Sequence, residues 1–212
     1  MKPGAALIIL AAFALSLAIY PLLPARIPIH WNLAGNVDGF APKLWGAFLM
    51  PLTILGIALI LIVVPRISPA GFEVDKGSRG YVAISLSVLV FMLAVHIFTL
   101  ATALNPHIAF PRFVPVFLGA LFAVLGNYLG KVRRNFFVGI RTPWTLADDD
   151  VWFRTHRLGG KLFVAGGILT MLGALLPTER GVTFAVVIAV GVSLISIVYS
   201  YVIYRQLHGA HS

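Results

Sequence analysis

His30, Asn32 and Asp38 stand within nine residues of one another. An imidazole, an amide and a carboxylate so close together can hold a cation or grip a peptide backbone. Trp31 and Gly35 belong to the same group, as a large ring and a turn former. The other reading is a loop whose side chains satisfy its own turns, because three scattered N and O donors are not a metal signature. A second group fills residues 131–156, KVRRNFFVGIRTPWTLADDDVWFRTH, which hold five of the sixteen Lys and Arg residues and three of the seven acids. There Asp148, Asp149 and Asp150 with His156 can be read as cation ligands. Consecutive acids on a helix diverge, however, and a first-turn acid cluster already gains from the helix dipole. Arg141, between Gly139 and Thr142-Pro143-Trp144, suits a stacked contact or ion pair that either locks the loop or meets a ligand. A third group is intramembrane: His96, with Ser85 within about 20° of it on a helix, and Asn127. An ionisable residue at that depth is a functional candidate, and a histidine hydrogen-bonded between helices is the plain alternative.

Few enzymatic chemistries fit such a chain. It has no cysteine, so thiolate metal sites, disulfides and Cys nucleophiles are excluded. No glycine-rich phosphate loop, HExxH pair or GxSxG elbow occurs. The expectation is a non-enzyme without metal or cofactor.

What must position these groups is a membrane bundle. The chain is 59% hydrophobic and only 11% charged, with a mean hydropathy of +0.96, whereas a soluble domain is about 25% charged. Six windows match the roughly 17–25 apolar residues of a span: Ala5–Leu23, Leu44–Val64, Tyr81–Leu104, Phe113–Leu129, Leu158–Pro177 and Val182–Tyr204. The first is read as an uncleaved helix, since no small-x-small cleavage site follows it. With the N-terminus inside, twelve Lys and Arg residues face the cytoplasm and four (Arg26, Lys43, Arg112 and Arg180) face out. That bias predicts both termini and the 131–156 segment on the cytoplasmic side. The net charge of +9 follows from it, together with attraction to anionic lipid, and is no argument for direct nucleic-acid binding.

The loops carry the remaining information. Pro24 and Pro28 end the first span, and strand-like Ile27–Trp31 is followed by turn formers. A structured outer loop over 24–43, in the form of a small hairpin, is expected. In the loop 131–157, Thr145 and Asp148 have the spacing of a cap and a first-turn acid, which predicts a short helix of about three turns reaching Arg157. Asp150 and Arg154 would pair on it, Trp152 and His156 would share a face, and Gly159-Gly160 would end it or allow close packing. Lys161 is expected to reach the inner headgroups. Asn127 and the Ser193, Ser196 and Ser200 series are expected at helix–helix contacts. Three spans in each half, in opposite orientations, also fit an inverted repeat.

At these residues the chain resembles the SdpI family of bacterial membrane proteins. One block is Ile27-Pro28-Ile29-His30-Trp31-Asn32 with Gly35 and Asp38. The other runs from Asn127 through Gly130-Lys131, Arg134-Asn135, Gly139-Ile140-Arg141-Thr142-Pro143-Trp144-Thr145-Leu146, Val151-Trp152 and Thr155-His156 to Gly159-Gly160. The resemblance implies protection against an extracellular membrane-active peptide toxin, the sporulation-delaying peptide in the family's case. It also implies sequestration of a small cytoplasmic winged-helix repressor.

The expectation is an all-α, six-span protein of the bacterial cell membrane. It divides into an N-terminal three-span module (1–112) with the outer loop and a C-terminal module (113–212) with the cytoplasmic loop. It would act in immunity or signalling. His30, Trp31, Asn32, Gly35 and Asp38 would meet the toxin. Asn135, Arg141, Thr142, Pro143, Trp144, Trp152 and His156 would meet a cytoplasmic partner or lock the loop. The competing expectation is a small transporter, with His96 and Asn127 along a pathway between the halves.

Overall fold

A computed structural model describes residues 2–209. Six helices are long and apolar enough to cross a bilayer. They are α1 (Lys2–Ile19), α2 (Lys43–Val63), α3 (Arg79–Leu104), α4 (Val114–Leu129), α6 (Asp149–Leu172) and α7 (Thr178–His208). A single turn of helix, α5 (Pro143–Ala147), precedes α6, and a hairpin of β1 (Arg26–Trp31) and β2 (Val37–Pro42) joins α1 to α2. Large apolar side chains point away from the bundle: Leu7 is 69% exposed, Leu10 66% and Ile60 61%. Water would not tolerate so continuous an apolar surface, and lipid requires it. The chain is a multi-pass membrane protein.

The helix that holds the acids starts and ends otherwise than expected. The capping residue is Thr142, whose hydroxyl accepts from the Thr145 N–H and begins α5. Asp148 then caps a second helix, its carboxylate accepting from the Val151 N–H at 2.9 Å. That helix is α6, and it runs unbroken through Gly159-Gly160 to Leu172. The two glycines pack; they do not end the helix.

Glycine determines how closely the second half packs. Gly119 and Gly126 on α4 meet Gly167 and Gly160 on α6, pair for pair, each at the other's backbone. A Cβ at Gly126 would stand 2.6 Å from the Gly160 carbonyl, and one at Gly160 2.7 Å from that of Gly126. The heptad spacing on both helices makes an antiparallel seam without side chains, which lets dispersion act backbone to backbone. The first half packs through small and branched residues instead: Ala5, Ile8 and Ala12 on α1, Ile54 and Ala58 on α2, and Leu89 on α3.

The connections gather at two ends. At one, the hairpin leans on the α3–α4 connection, with Trp31 edge-on to Phe110 at 4.8 Å, and Gly35 lies beside Pro111 and Thr178. At the other, residues 64–78 and 131–148 pack together: Val64, Val74 and Tyr81 cluster with Phe137 and Val138, and the Arg134 guanidinium lies over Phe72.

Candidate functional site

The hairpin is built by its own polar residues. The Asn32 N–H donates to the Asn36 carbonyl (2.9 Å), the Gly35 N–H to the Asn32 carbonyl (2.9 Å), and the Asn36 N–H to the Asn32 Oδ1 (3.0 Å). Gly35 has φ +88°, a conformation that suits glycine. Asn32 and Gly35 therefore shape the turn. A bulge interrupts the register at His30, which stands opposite Gly39. A Cβ on Gly39 would meet the Cβ of His30 at 2.8 Å. His30 Nδ1 and Asp38 Oδ1 lie 2.5 Å apart, with side chains 70% and 44% exposed. Ile29, Leu33 and Phe40 are exposed around them. Ile27, fully buried with Ala47 and Leu100, pins the hairpin to the helices. The hairpin thus presents an exposed polar pair within an apolar surround.

The second group closes on itself around His156. The Ile140 N–H donates to His156 Nε2 at 2.9 Å, so that nitrogen is the acceptor. Nδ1 carries the proton and donates to the Trp152 carbonyl at 2.8 Å, which fixes the tautomer. The imidazole stacks on the Trp152 indole, ring centroids 3.8 Å apart, and the indole N–H donates to the Val132 carbonyl at 2.9 Å. Gly139 crosses this stack at φ +126°, where a Cβ would collide with His156 Nε2. Only glycine can lie there.

Asn135 uses its whole amide. Its NH2 donates to the carbonyls of Arg133 and Val138 (2.9 Å each), and its oxygen accepts from the N–H groups of Phe137 and Val138 (2.8 and 2.7 Å). A buried amide with every lone pair and proton occupied fixes its loop more firmly than any single bond. The Thr145 hydroxyl donates to the Ile140 carbonyl at 2.8 Å, and Thr142 Oγ1 lies 3.0 Å from Ser200 Oγ on α7. Arg134 donates to the Leu146 carbonyl at 2.7 Å and pairs with Asp149 at 2.6 Å. In the neighbouring connection, the Gly71 N–H donates to the Glu73 carboxylate, and this backbone hydrogen bonding holds its pKa below the ordinary glutamate value.

Several residues sit otherwise than the sequence suggests. Arg141 donates to the Phe136 carbonyl at 2.8 Å and is exposed, while Trp144 packs on Tyr201 of α7, centroids 5.0 Å apart. The acid paired across this loop is Asp149, with Arg134, and not Asp150 with Arg154. Pro143 is exposed; Asn135, Thr142, Trp152 and His156 are buried in the lock.

His96 is fully buried at the junction of α1, α2 and α3. The Ser16 hydroxyl donates to the Ala47 carbonyl at 2.7 Å, so the 3.0 Å contact between Ser16 Oγ and His96 Nε2 is donated by the ring. Ser85 shares the buried side of α3, but the residue that meets His96 is Ser16, eighty positions away. Asn127 lies elsewhere, exposed on the flank of α4 in a groove that His96 does not line. Ser16, lone in an apolar run, gave no sequence signal for its contact with His96, whereas Ser200 belongs to the serine series expected at contacts and meets Thr142.

These features define a six-span membrane protein with a hairpin at one end and a histidine-locked loop at the other. Residues 131–200 match the SdpI/YfhL protein family. Residues 7–55, which include the hairpin, match a domain of unknown function, DUF1648. Over 205 residues the chain is 25% identical to the immunity protein SdpI of Bacillus subtilis (strain 168), covering 96% of each protein. It is also 42% identical over 43 residues to the uncharacterized membrane protein YbgB of the same organism, covering 20% of this chain and 47% of that protein. No solved structure matches the chain significantly.

Proposed function

We propose that this protein confers immunity on the membrane that carries it, protecting the cell from an extracellular membrane-active peptide. The observation that carries the reading is the end-to-end similarity to an immunity protein, 96% of both chains. The positive-inside bias supports placing the hairpin outside and both termini and the 131–157 loop in the cytoplasm. So oriented, His30 and Asp38 offer a polar pair to the peptide, Trp31 half-exposed beside them and Ile29, Leu33 and Phe40 around them. An amphipathic peptide at the headgroup layer has that same mixture of groups. Asn32 and Gly35 act indirectly, by holding the turn.

For a cytoplasmic partner, the available surface is Phe136, Arg141 and Pro143, all exposed on the loop. Asn135, Thr142, Trp152 and His156 would reach a partner such as a winged-helix repressor only if the lock opened. Signalling then requires that the peptide favour one state of the lock over the other. The transport reading finds less support, because His96 and Asn127 lie on different sides of the bundle.

Expression in a sensitive host tests the proposal. Survival on the sporulation-delaying peptide should rise over the empty-vector strain. Unchanged survival, together with solute flux in proteoliposomes that His96→Ala abolishes, would replace immunity with transport.

A further inference from the structure

One groove borders the second site at His156 and is not explained by either site. It runs along the flank of α4 and α6, has a volume of about 630 Å³, and opens outward where a bilayer would meet the helices. Its wall at the loop end carries Lys131 and Arg157, and a turn deeper Lys161, all exposed. No carboxylate lines it. Below the cations the floor becomes apolar, through Val164, Ala165 and Ile168. Gly126 and Gly160, which bring the two backbones together, also line the groove.

Asn127 stands in the same groove. Its amide is exposed on a membrane-spanning helix and makes no hydrogen bond to protein among the described residues. Hydrocarbon disfavours such a group unless a polar partner reaches it. The seam register, Gly126 opposite Gly160, sets Asn127 near the level of Lys161 and one turn deeper than Lys131 and Arg157.

We infer that this groove binds one anionic phospholipid. Lys131 and Arg157 take the phosphate, Asn127 and Lys161 meet the headgroup–glycerol region beneath it, and an acyl chain lies over Val164, Ala165 and Ile168. Three cations without an acid are complementary to an anionic headgroup, and the step from charge to apolar floor follows the depth profile of a lipid. The inference is independent of the immunity reading.

The test uses the full chain, delipidated in neutral detergent and titrated with phosphatidylglycerol or phosphatidylcholine, bound lipid being counted by native mass spectrometry. Wild type should retain a single phosphatidylglycerol and release phosphatidylcholine. Combined Lys131→Gln, Arg157→Gln and Lys161→Gln should weaken retention about a hundredfold. Ala165→Phe, which fills the exposed floor and leaves every charge in place, should also weaken it, so the inference does not hang on one variant folding. Equal retention of both lipids, unchanged retention in both variants, displacement by glycerol phosphate alone, or a second copy of the chain occupying the face would each overturn it.

Discussion

At the scale of single residues, the second site depends on an atom that is missing. Gly139 passes over His156 at φ +126°, where any Cβ collides with the ring nitrogen that accepts the Ile140 N–H. Gly139→Ala should therefore lose that bond and strain the backbone, destabilising the protein by roughly 2–4 kcal/mol. Unfolding in mixed micelles would show this as a lower midpoint, and a midpoint equal to wild type would contradict the lock. The identities of this lock could be read in the sequence but not its wiring. Trp152 and His156, four apart, lie on one helix face wherever the helix begins, so their stacking follows from spacing. That Ile140 caps the pair depends on the path of residues 133–142, which Asn135 sets with four short hydrogen bonds that no spacing rule encodes.

At the scale of elements, apolar runs made the six spans legible because a bilayer fixes their length. Pro28 and the cluster from Asn32 to Gly39 made the hairpin legible as turn chemistry. The start of α6 is not legible in the sequence because two caps, Thr142 and Asp148, stand six residues apart, and Thr145, which serves Thr142, resembles a cap itself. The glycine seam was hidden for another reason: Gly119 and Gly126 acquire meaning only opposite Gly167 and Gly160. Each position predicts a different tolerance. Gly126→Leu should force α4 from α6 and cost about 1–3 kcal/mol or more, whereas Gly191→Ala, with nothing within 4 Å of the new methyl, should be neutral or slightly stabilising. Thermal inactivation of the two variants in one detergent compares them; equal losses would show that the seam does not hold the helices.

At the scale of the whole molecule, the two sites occupy opposite ends of the bundle, and the account needs them on opposite sides of the membrane. The native absence of cysteine makes this direct to test. Single cysteines should go at Asn36 and Arg141, both exposed, and not at Thr142, which is 6% exposed and bonded to Thr145. Impermeant maleimide should label Asn36→Cys in intact cells and Arg141→Cys only after lysis, and labelling of both in intact cells would break the topology. Peptide contact and internal response would then be separable by position. The most direct measurement is survival of a sensitive host on the sporulation-delaying peptide, with membrane levels of each variant matched. The account predicts that Trp31→Ala combined with Asp38→Asn abolishes protection while Arg141→Ala retains it. Protection that survives the hairpin changes, or that the wild-type protein never confers, would contradict it.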